Sequence, residues 1–238
     1  MCSKEAFGKI NSIQSLGTLD GPGVRFVVFT QGCNLRCGCC HNPDTWDTNG
    51  GKGISASEIF SKVLSYREYF GKDGGITVSG GEPLLQPEFI RELFTLCKKS
   101  GINTCLDTSG SILNDKIKEL LEVTDRVLLD IKYTSEEMYQ KYVGCSLSSP
   151  LTFLQYLDSH NIPTVIRQVI IPKLNDNEEN INNLRELKNA YKCVEKVELL
   201  PFKKICKAKY DNLNLKFPFE KFDTPDKNLM ESLSQLLQ

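Results

Sequence analysis

The chain has 238 residues, 40% of them hydrophobic and 25% charged, with a formal net charge of -1. That is enough chain for one globular domain burying roughly 70–75% of its unfolded surface, and a single domain over residues 1–238 is expected. The near-zero charge offers no general attraction to nucleic acid or to an anionic membrane, residues 1 to 20 lack the pattern of an export signal, and the longest apolar stretch, VRFVVF, is too short to span a bilayer; no nucleic-acid or membrane partner and a cytoplasmic location are expected.

Six segments rich in β-branched and aromatic residues follow one another: 25 to 30, 76 to 79, 102 to 107, 126 to 131, 164 to 171 and 196 to 200. Each is a near-continuous apolar run, as buried parallel strands require. Helical patterns lie between them. Ser55 with Glu58 forms a capping box opening a helix to about 70, with Ile59, Val63 and Tyr66 on one face. Pro87 starts the next, where Phe89, Leu93, Leu96 and Cys97 share a face and Gly101 ends the run. Further helices fit 114–123, 135–142, 150–160 and 177–191, and a last one, 225–237, aligns Leu229, Leu233, Leu236 and Leu237. The alternation predicts an α/β fold with right-handed crossovers.

Ten cysteines are present, four of them within QGCNLRCGCCHNPDTW at residues 31 to 46. In a reducing compartment such a cluster points to metal or catalysis rather than to disulfides. Cys2, Cys97, Cys105, Cys145, Cys193 and Cys206 are scattered and read as packing thiols. The cluster follows the first apolar segment, and Gly32, Asn34, Gly38, Asn42 and Pro43 oppose a helix through it. It is thus a loop at the C-terminal end of a parallel strand, where α/β folds build sites. Two ligand sets can be read: Cys33, Cys37 and Cys40 as C-x3-C-x2-C, or a four-thiolate set that includes Cys39. Structural zinc usually takes two separated pairs, and adjacent cysteines point apart. Three thiolates on a 4Fe–4S cube leave one iron open, which suits a catalytic cluster. His41 is open to a ligand role or to a neighbouring one.

Three later motifs end strands. Ser79-Gly80-Gly81-Glu82 brings bare backbone close to a ligand or simply turns the chain. Asp107 with Thr108, and Asp130 with Lys132, read either as N-caps for the following helices or as site groups. The basic run Lys203, Lys204, Lys207 and Lys209 reads as a solvated face.

The stretch GPGVRFVVFTQGCNLRCGCCHNPDTW resembles the signature of the glycyl-radical-enzyme activating enzymes of the radical S-adenosylmethionine superfamily. Gly21, Gly23, Arg25, Phe29, Gly32, Cys33, Asn34, Arg36 and Cys37 match in register, and TWDTNGG, SGGEPLLQ, TCLDTSG, LLDIK and VELLP extend the resemblance over most of the chain, with greatest similarity to the activases of pyruvate formate-lyase. No ferredoxin-like cysteine-rich insert is present, since the next cysteine after Cys40 is Cys97. The resemblance implies a partial (β/α)6 barrel of parallel strands. It implies a 4Fe–4S cluster on Cys33, Cys37 and Cys40 that chelates S-adenosylmethionine and cleaves it reductively to a 5'-deoxyadenosyl radical, which takes hydrogen from a glycine of the target enzyme. Cys39 falls where the family usually has a bulkier residue and is assigned packing beside the cluster and adenine. Ser79, Gly80, Gly81 and Glu82 would contact the methionine moiety. Asp107, Thr108, Asp130 and the Leu128 carbonyl would form a hard-oxygen site for a monovalent cation. Lys132 and Arg167 would face S-adenosylmethionine as catalytic groups, and Asp107 and Asp130 would also bind that cofactor. Asp20, Gly21, Pro22, Gly23 and Lys203 would meet the substrate peptide, although the family commonly has histidine at Lys203 and glycine at Cys206. Pyruvate formate-lyase as protein substrate, reduced flavodoxin or ferredoxin as electron donor and a monomeric state complete the expectation. The competing readings are an activase for another glycyl radical enzyme and a non-catalytic zinc or iron–sulfur module.

Overall fold

The computed structural model describes residues 5–237. The fold class is α/β, with a mostly parallel sheet of eight strands. By its internal packing the chain forms two compact units: one of the chain through Asn34, Thr45–Thr108 and Ile112–Leu128, the other of Leu35–Asp44, Ser109–Ser111 and the chain from Leu129 on.

In the first unit β1 (Phe7–Gly17) pairs antiparallel with β2 (Arg25–Thr30) on one side and with β3 (Lys52–Ser55) on the other. β4 (Gly75–Gly80) pairs parallel with β2, and β5 (Asn103–Thr108) parallel with β4. α1 (Ala56–Leu64), α2 (Pro87–Lys99) and α3 (Asp115–Leu121) supply the helical layer. The Ser55 hydroxyl accepts the Glu58 N–H at 3.2 Å, the N-cap predicted for α1. The helix stops at Leu64 rather than near 70; a 3-10 turn, Arg67–Tyr69, follows, and Tyr66 instead lays its ring 5.5 Å from Phe26. Ile59, Val63, Ile90, Leu93, Phe94 and Cys97 are fully buried in this unit, as are Val27, Val28, Ile76 and Val78 of the sheet. Each such side chain contributes roughly 1.5–3 kcal/mol on burial.

β6 (Arg126–Asp130) begins in the first unit and ends in the second, where β7 (Thr164–Ile170) and β8 (Val194–Pro201) pair in parallel. α4 (Glu136–Tyr142), α5 (Ser148–Ser159), α6 (Glu178–Ala190), α7 (Lys207–Asn212) and α8 (Lys227–Leu236) complete the second unit. Asn177 and Asp226 cap α6 and α8 through their side-chain oxygens. On α8 Leu233 and Leu237 are buried, but Leu236 is exposed and Leu229 only half-buried, so the four-leucine face is narrower than expected.

All six apolar segments are strands, within one or two residues. The two antiparallel strands and α7 were not anticipated. β1 alternates buried and exposed positions and carries Lys9, Asn11, Ser12, Gln14 and Ser15, so it contains no apolar run. β3 is four residues long and α7 six, too short for any periodicity to register. Among the scattered cysteines, Cys97, Cys105, Cys193 and Cys206 are buried and Cys145 is half-buried; Cys2 lies outside the described residues.

Candidate active site

In the first unit the site residues stand where parallel strands end. The Ser79 hydroxyl donates to Asp107 Oδ2 at 2.7 Å, and the Thr108 hydroxyl donates to Glu82 Oε1 at 2.5 Å. Glu82 is 1% exposed; its Oε1 also accepts the Leu84 N–H at 3.1 Å, capping the 3-10 turn Pro83–Leu85. Both carboxylates therefore receive hydrogen bonds from neutral donors, which a buried acid requires.

The glycines of this motif are required by close backbone packing. A Cβ on Gly80, whose φ is +118°, would lie 2.2 Å from the Thr30 nitrogen; one on Gly81 would lie 2.1 Å from the Gly32 carbonyl oxygen. They admit the backbone leading into the cysteine loop. Gly81 donates its N–H to the Thr30 carbonyl at 3.0 Å and Glu82 to that of Gly32 at 2.8 Å, while Gly32 donates to Thr45 at 2.8 Å. Gln31 is held in turn by Asp47, Asn11 and Gln86. The TWDTNGG stretch is thus part of the scaffold that fixes where Cys33 leaves β2.

Asp20 and Gly21 lie on the same sheet face as Ser79 and Asp107, but earlier along the strands. The Thr77 hydroxyl donates to the Asp20 carbonyl at 2.7 Å, and a Cβ on Gly21 would touch Cys105 Sγ at 3.4 Å. Two residues of strand, roughly 7 Å, separate Thr77 from Ser79. Pro22 and Gly23 turn at the opposite strand ends: Gly23 abuts the Gly74 backbone, and the Pro22 carbonyl accepts from Arg25 at 3.5 Å. Arg25 is fully buried and donates to Thr77, Asn103 and Asp73, so its match to the signature has a structural cause.

In the second unit the cysteine loop from Leu35 to Asp44 is pinned at several points. Gly38 donates its N–H to the Tyr142 carbonyl at 2.8 Å and Arg36 to that of Val143 at 3.3 Å; Cys40 donates to Cys37 at 3.1 Å. The Tyr210 hydroxyl donates to the Cys40 carbonyl at 3.2 Å, and Lys209 Nζ reaches Asn42 at 2.8 Å and Asp44 at 3.1 Å. A Cβ on Gly38 would stand 2.1 Å from the Phe219 ring. Lys204 donates to the Glu220 carbonyl at 2.7 Å and Lys207 pairs with the Glu220 carboxylate, so the basic run is more than a solvated face. Tyr142, Tyr210 and Phe219 were missed, with only the aromatic density around 202–222 as a signal for the last two, and Lys209, read as part of a solvated face, instead reaches the loop.

His41 Nε2 bonds the Lys203 carbonyl at 3.0 Å. A carbonyl only accepts, so Nε2 is the protonated nitrogen and Nδ1 is left as the acceptor of the ring. Lys203 meets the loop through its backbone, with its side chain exposed. Cys33, Cys37, Cys39 and Cys40 are all half-buried, and burial pushes the Cys39 thiol up to about 11.

Asp130, ending β6, sits between two cations. Lys132 Nζ lies 2.5 Å from Asp130 Oδ2 and Arg167 Nε 3.3 Å from Oδ1. Burial opposes its charge, but Lys132 and then Arg167 outweigh that and hold the carboxyl below its ordinary range. Burial likewise opposes the Lys132 charge, yet Asp130, Cys37 and Cys39 raise it well above the usual ammonium range. The Tyr139 hydroxyl accepts the Lys132 N–H at 3.2 Å. Each oxygen of Asp130 therefore faces a protein cation, and Lys132 and Arg167 both spend a donor on it. Leu128 lies within β6, on the first unit's side of the division.

Among the described residues no three His, Cys, Asp or Glu side chains are gathered into a ready metal cage. The donor chemistry of the loop nonetheless fits an iron–sulfur cluster: soft thiols on an irregular, glycine-bearing segment, with a lysine near Cys37 to offset thiolate charge. Asp107 and Thr108 offer hard oxygens of the kind an alkali cation takes.

The model of the radical SAM superfamily matches residues 27–184. Pyruvate formate-lyase 1-activating enzyme of Escherichia coli (strain K12) is 42% identical over 234 residues, spanning 97% of this chain and 95% of that protein. Pyruvate formate-lyase-activating enzyme of Clostridium pasteurianum is 43% identical over 232 residues, spanning 97% of both. Among solved structures, a domain of pyruvate-formate lyase-activating enzyme from Bacteroides vulgatus ATCC 8482 has a TM-score of 0.57 at 25% identity, covering 69% of this chain and 92% of that one. Streptococcus suis SuiB shares the fold, with a TM-score of 0.66 at 15% identity over 86% of this chain and 44% of its own. With the family model over more than half of its length and such identity at nearly full coverage, the chain belongs to the radical SAM superfamily and, within it, to the family of pyruvate formate-lyase-activating enzymes.

Proposed function

We propose that this chain activates pyruvate formate-lyase by installing a glycyl radical on it. The carrying observation is the identity of 42–43% over 97% of the chain to two named activating enzymes. A bound 4Fe–4S cluster supplies the electron that splits S-adenosylmethionine into methionine and a 5'-deoxyadenosyl radical, which removes hydrogen from the glycine Cα of the lyase.

The chain's own residues would act as follows. Cys33, Cys37 and Cys40 hold the cluster, and the Gly80–Gly81 junction fixes the departure point of Cys33. Cys39 packs without coordinating. Ser79, Glu82 and Asp107 present polar groups to the amino and carboxylate ends of S-adenosylmethionine, and Lys132 and Arg167 neutralise its carboxylate while Asp130 orients both. Asp107, Thr108, Asp130 and the Leu128 carbonyl take an alkali cation. Asp20 and Gly21, on the face shared with Ser79, and Lys203 at the cysteine loop meet the glycine-bearing peptide. The chain works as one catalytic domain, monomeric, in the cytoplasm, with reduced flavodoxin or ferredoxin as donor. In keeping with this, no helix among the described residues is long and apolar enough to cross a membrane.

Anaerobic reconstitution with iron and sulfide, followed by reductant and S-adenosylmethionine, tests the reading. The expected products are 5'-deoxyadenosine and, with pyruvate formate-lyase present, a glycyl radical signal in the electron paramagnetic resonance spectrum. Stoichiometric zinc with no iron–sulfur absorption would reject the cluster. Deoxyadenosine formed without a glycyl radical on this lyase would redirect the target to another glycyl radical enzyme.

A further inference from the structure

Tyr133, one residue beyond Lys132, is 2% exposed, and its hydroxyl oxygen is buried with no hydrogen-bond partner among the described residues. Such orphans are uncommon. A buried hydroxyl left unsatisfied costs about 1–3 kcal/mol, and a tyrosine whose hydroxyl is buried usually finds an acceptor. Either the site tolerates that cost for nothing, or an acceptor belongs there that the polypeptide does not itself provide.

The surroundings say which acceptor. The Tyr133 ring stands 5.6 Å from that of Tyr142, and Tyr142 stands edge-on to Phe219 at 5.4 Å. These two residues are the ones that seat the cysteine loop: the Tyr142 carbonyl takes the Gly38 N–H, and the Phe219 ring fills the space a Cβ on Gly38 would need. Tyr133 is therefore the far member of an aromatic row on which the segment from Cys37 to Cys39 rests. Burial keeps its phenol protonated. What remains is a fixed, desolvated O–H donor in the same unit as the cysteine loop.

We infer that Tyr133 is a positioning residue for the cluster, its hydroxyl donating a hydrogen bond to an electron-rich sulfur of the iron–sulfur group held by this loop. The inference rests on the cluster reading of the cysteine motif. A donor to a cluster sulfur stabilises the more negative, reduced state, so it raises the reduction potential and eases electron entry. In the absence of the cluster the same hydroxyl stabilises nothing.

That asymmetry makes Tyr133→Phe a two-sided test, with potential read by redox titration of the reconstituted protein and apo stability by thermal melting. The loaded variant should hold the same iron and sulfide as the unaltered protein but titrate at a more negative potential. The apo variant should melt at the same temperature or higher, because an unsatisfied group has been removed. An unchanged potential in the loaded variant overturns the inference. So does an apo variant that melts lower or fails to fold, since the hydroxyl would then have a partner within the polypeptide, and so does an intact apo variant that cannot take up iron, since one hydrogen bond does not hold a cluster. Failure of the unaltered protein itself to take up a 4Fe–4S cluster would instead remove the cluster reading beneath it.

Discussion

The two units each end a strand in an acid, buried at Asp107 in the first and half-buried at Asp130 in the second, and they settle its charge by different means. In the first, Asp107 and Glu82 receive hydroxyl protons from Ser79 and Thr108 and, for Glu82, a backbone N–H. In the second, Asp130 is bracketed by the ammonium of Lys132 and the guanidinium of Arg167. Neutral donors orient a carboxylate without cancelling its charge; cations cancel it. The first arrangement leaves acid oxygens suited to an ammonium group or a cation. The second presents positive charge, oriented by Asp130 and suited to a carboxylate.

Removing the bracketed acid should cost most. Asp130→Ala leaves Lys132 and Arg167, only 18% and 12% exposed in their side chains, without the charge between them. A loss of about 3–5 kcal/mol in unfolding free energy is expected by urea titration. A loss below about 1 kcal/mol would mean the two cations are balanced by other groups, and the contrast between the units would lapse.

Next in size is the backbone junction of the first unit. Gly81→Ala drives a Cβ into the Gly32 carbonyl, and Gly80→Ala adds a positive φ to a clash with Thr30. Each should cost about 2–3 kcal/mol and sharply lower iron uptake on reconstitution, because the cysteine loop loses its root. Normal iron content in either variant would detach this motif from the cluster.

A smaller effect is expected where a neutral donor is deleted. Ser79→Ala should destabilise by about 1–2 kcal/mol, and much less when made in an Asp107→Ala background, where no acceptor remains to be stranded. Additive losses in that double-mutant cycle would show that the 2.7 Å contact carries little energy.

The least effect should come from Cys39. Cys39→Ser is expected to change stability by less than about 1 kcal/mol and to leave iron content near that of the unaltered protein, whereas serine at Cys33, Cys37 or Cys40 removes a thiolate from a three-ligand site with no spare. If Cys39→Ser loses iron while Cys40→Ser keeps it, the ligand register is wrong.

β2, β4, β5, β6 and β7 were legible because mostly buried strands read as near-continuous apolar runs, β8, largely half-buried or exposed, was legible only through its apolar stretch at 196–200, and the capped start of α1 was legible because Ser55 and Glu58 are local partners. The cysteine spacing and its flanks were legible because ligation chemistry is written in residue type. β1 was not, since a strand with one wet face needs only alternation, and its turn-rich flank at Gly17 to Gly23 masks even that. By itself, then, the sequence determined fold class and family, from strand and helix patterning and from motifs in register, and singled out the soft donors proposed for the cluster. Only the tertiary structure decided that Gly80 and Gly81 exist to admit backbone, that Lys209 and Tyr210 brace the loop from about 170 positions away, and that the Tyr133 hydroxyl is orphaned. The reason is physical: a clash, a long-range brace and a missing partner are properties of distance between segments, and no local pattern in the chain encodes which segments will meet.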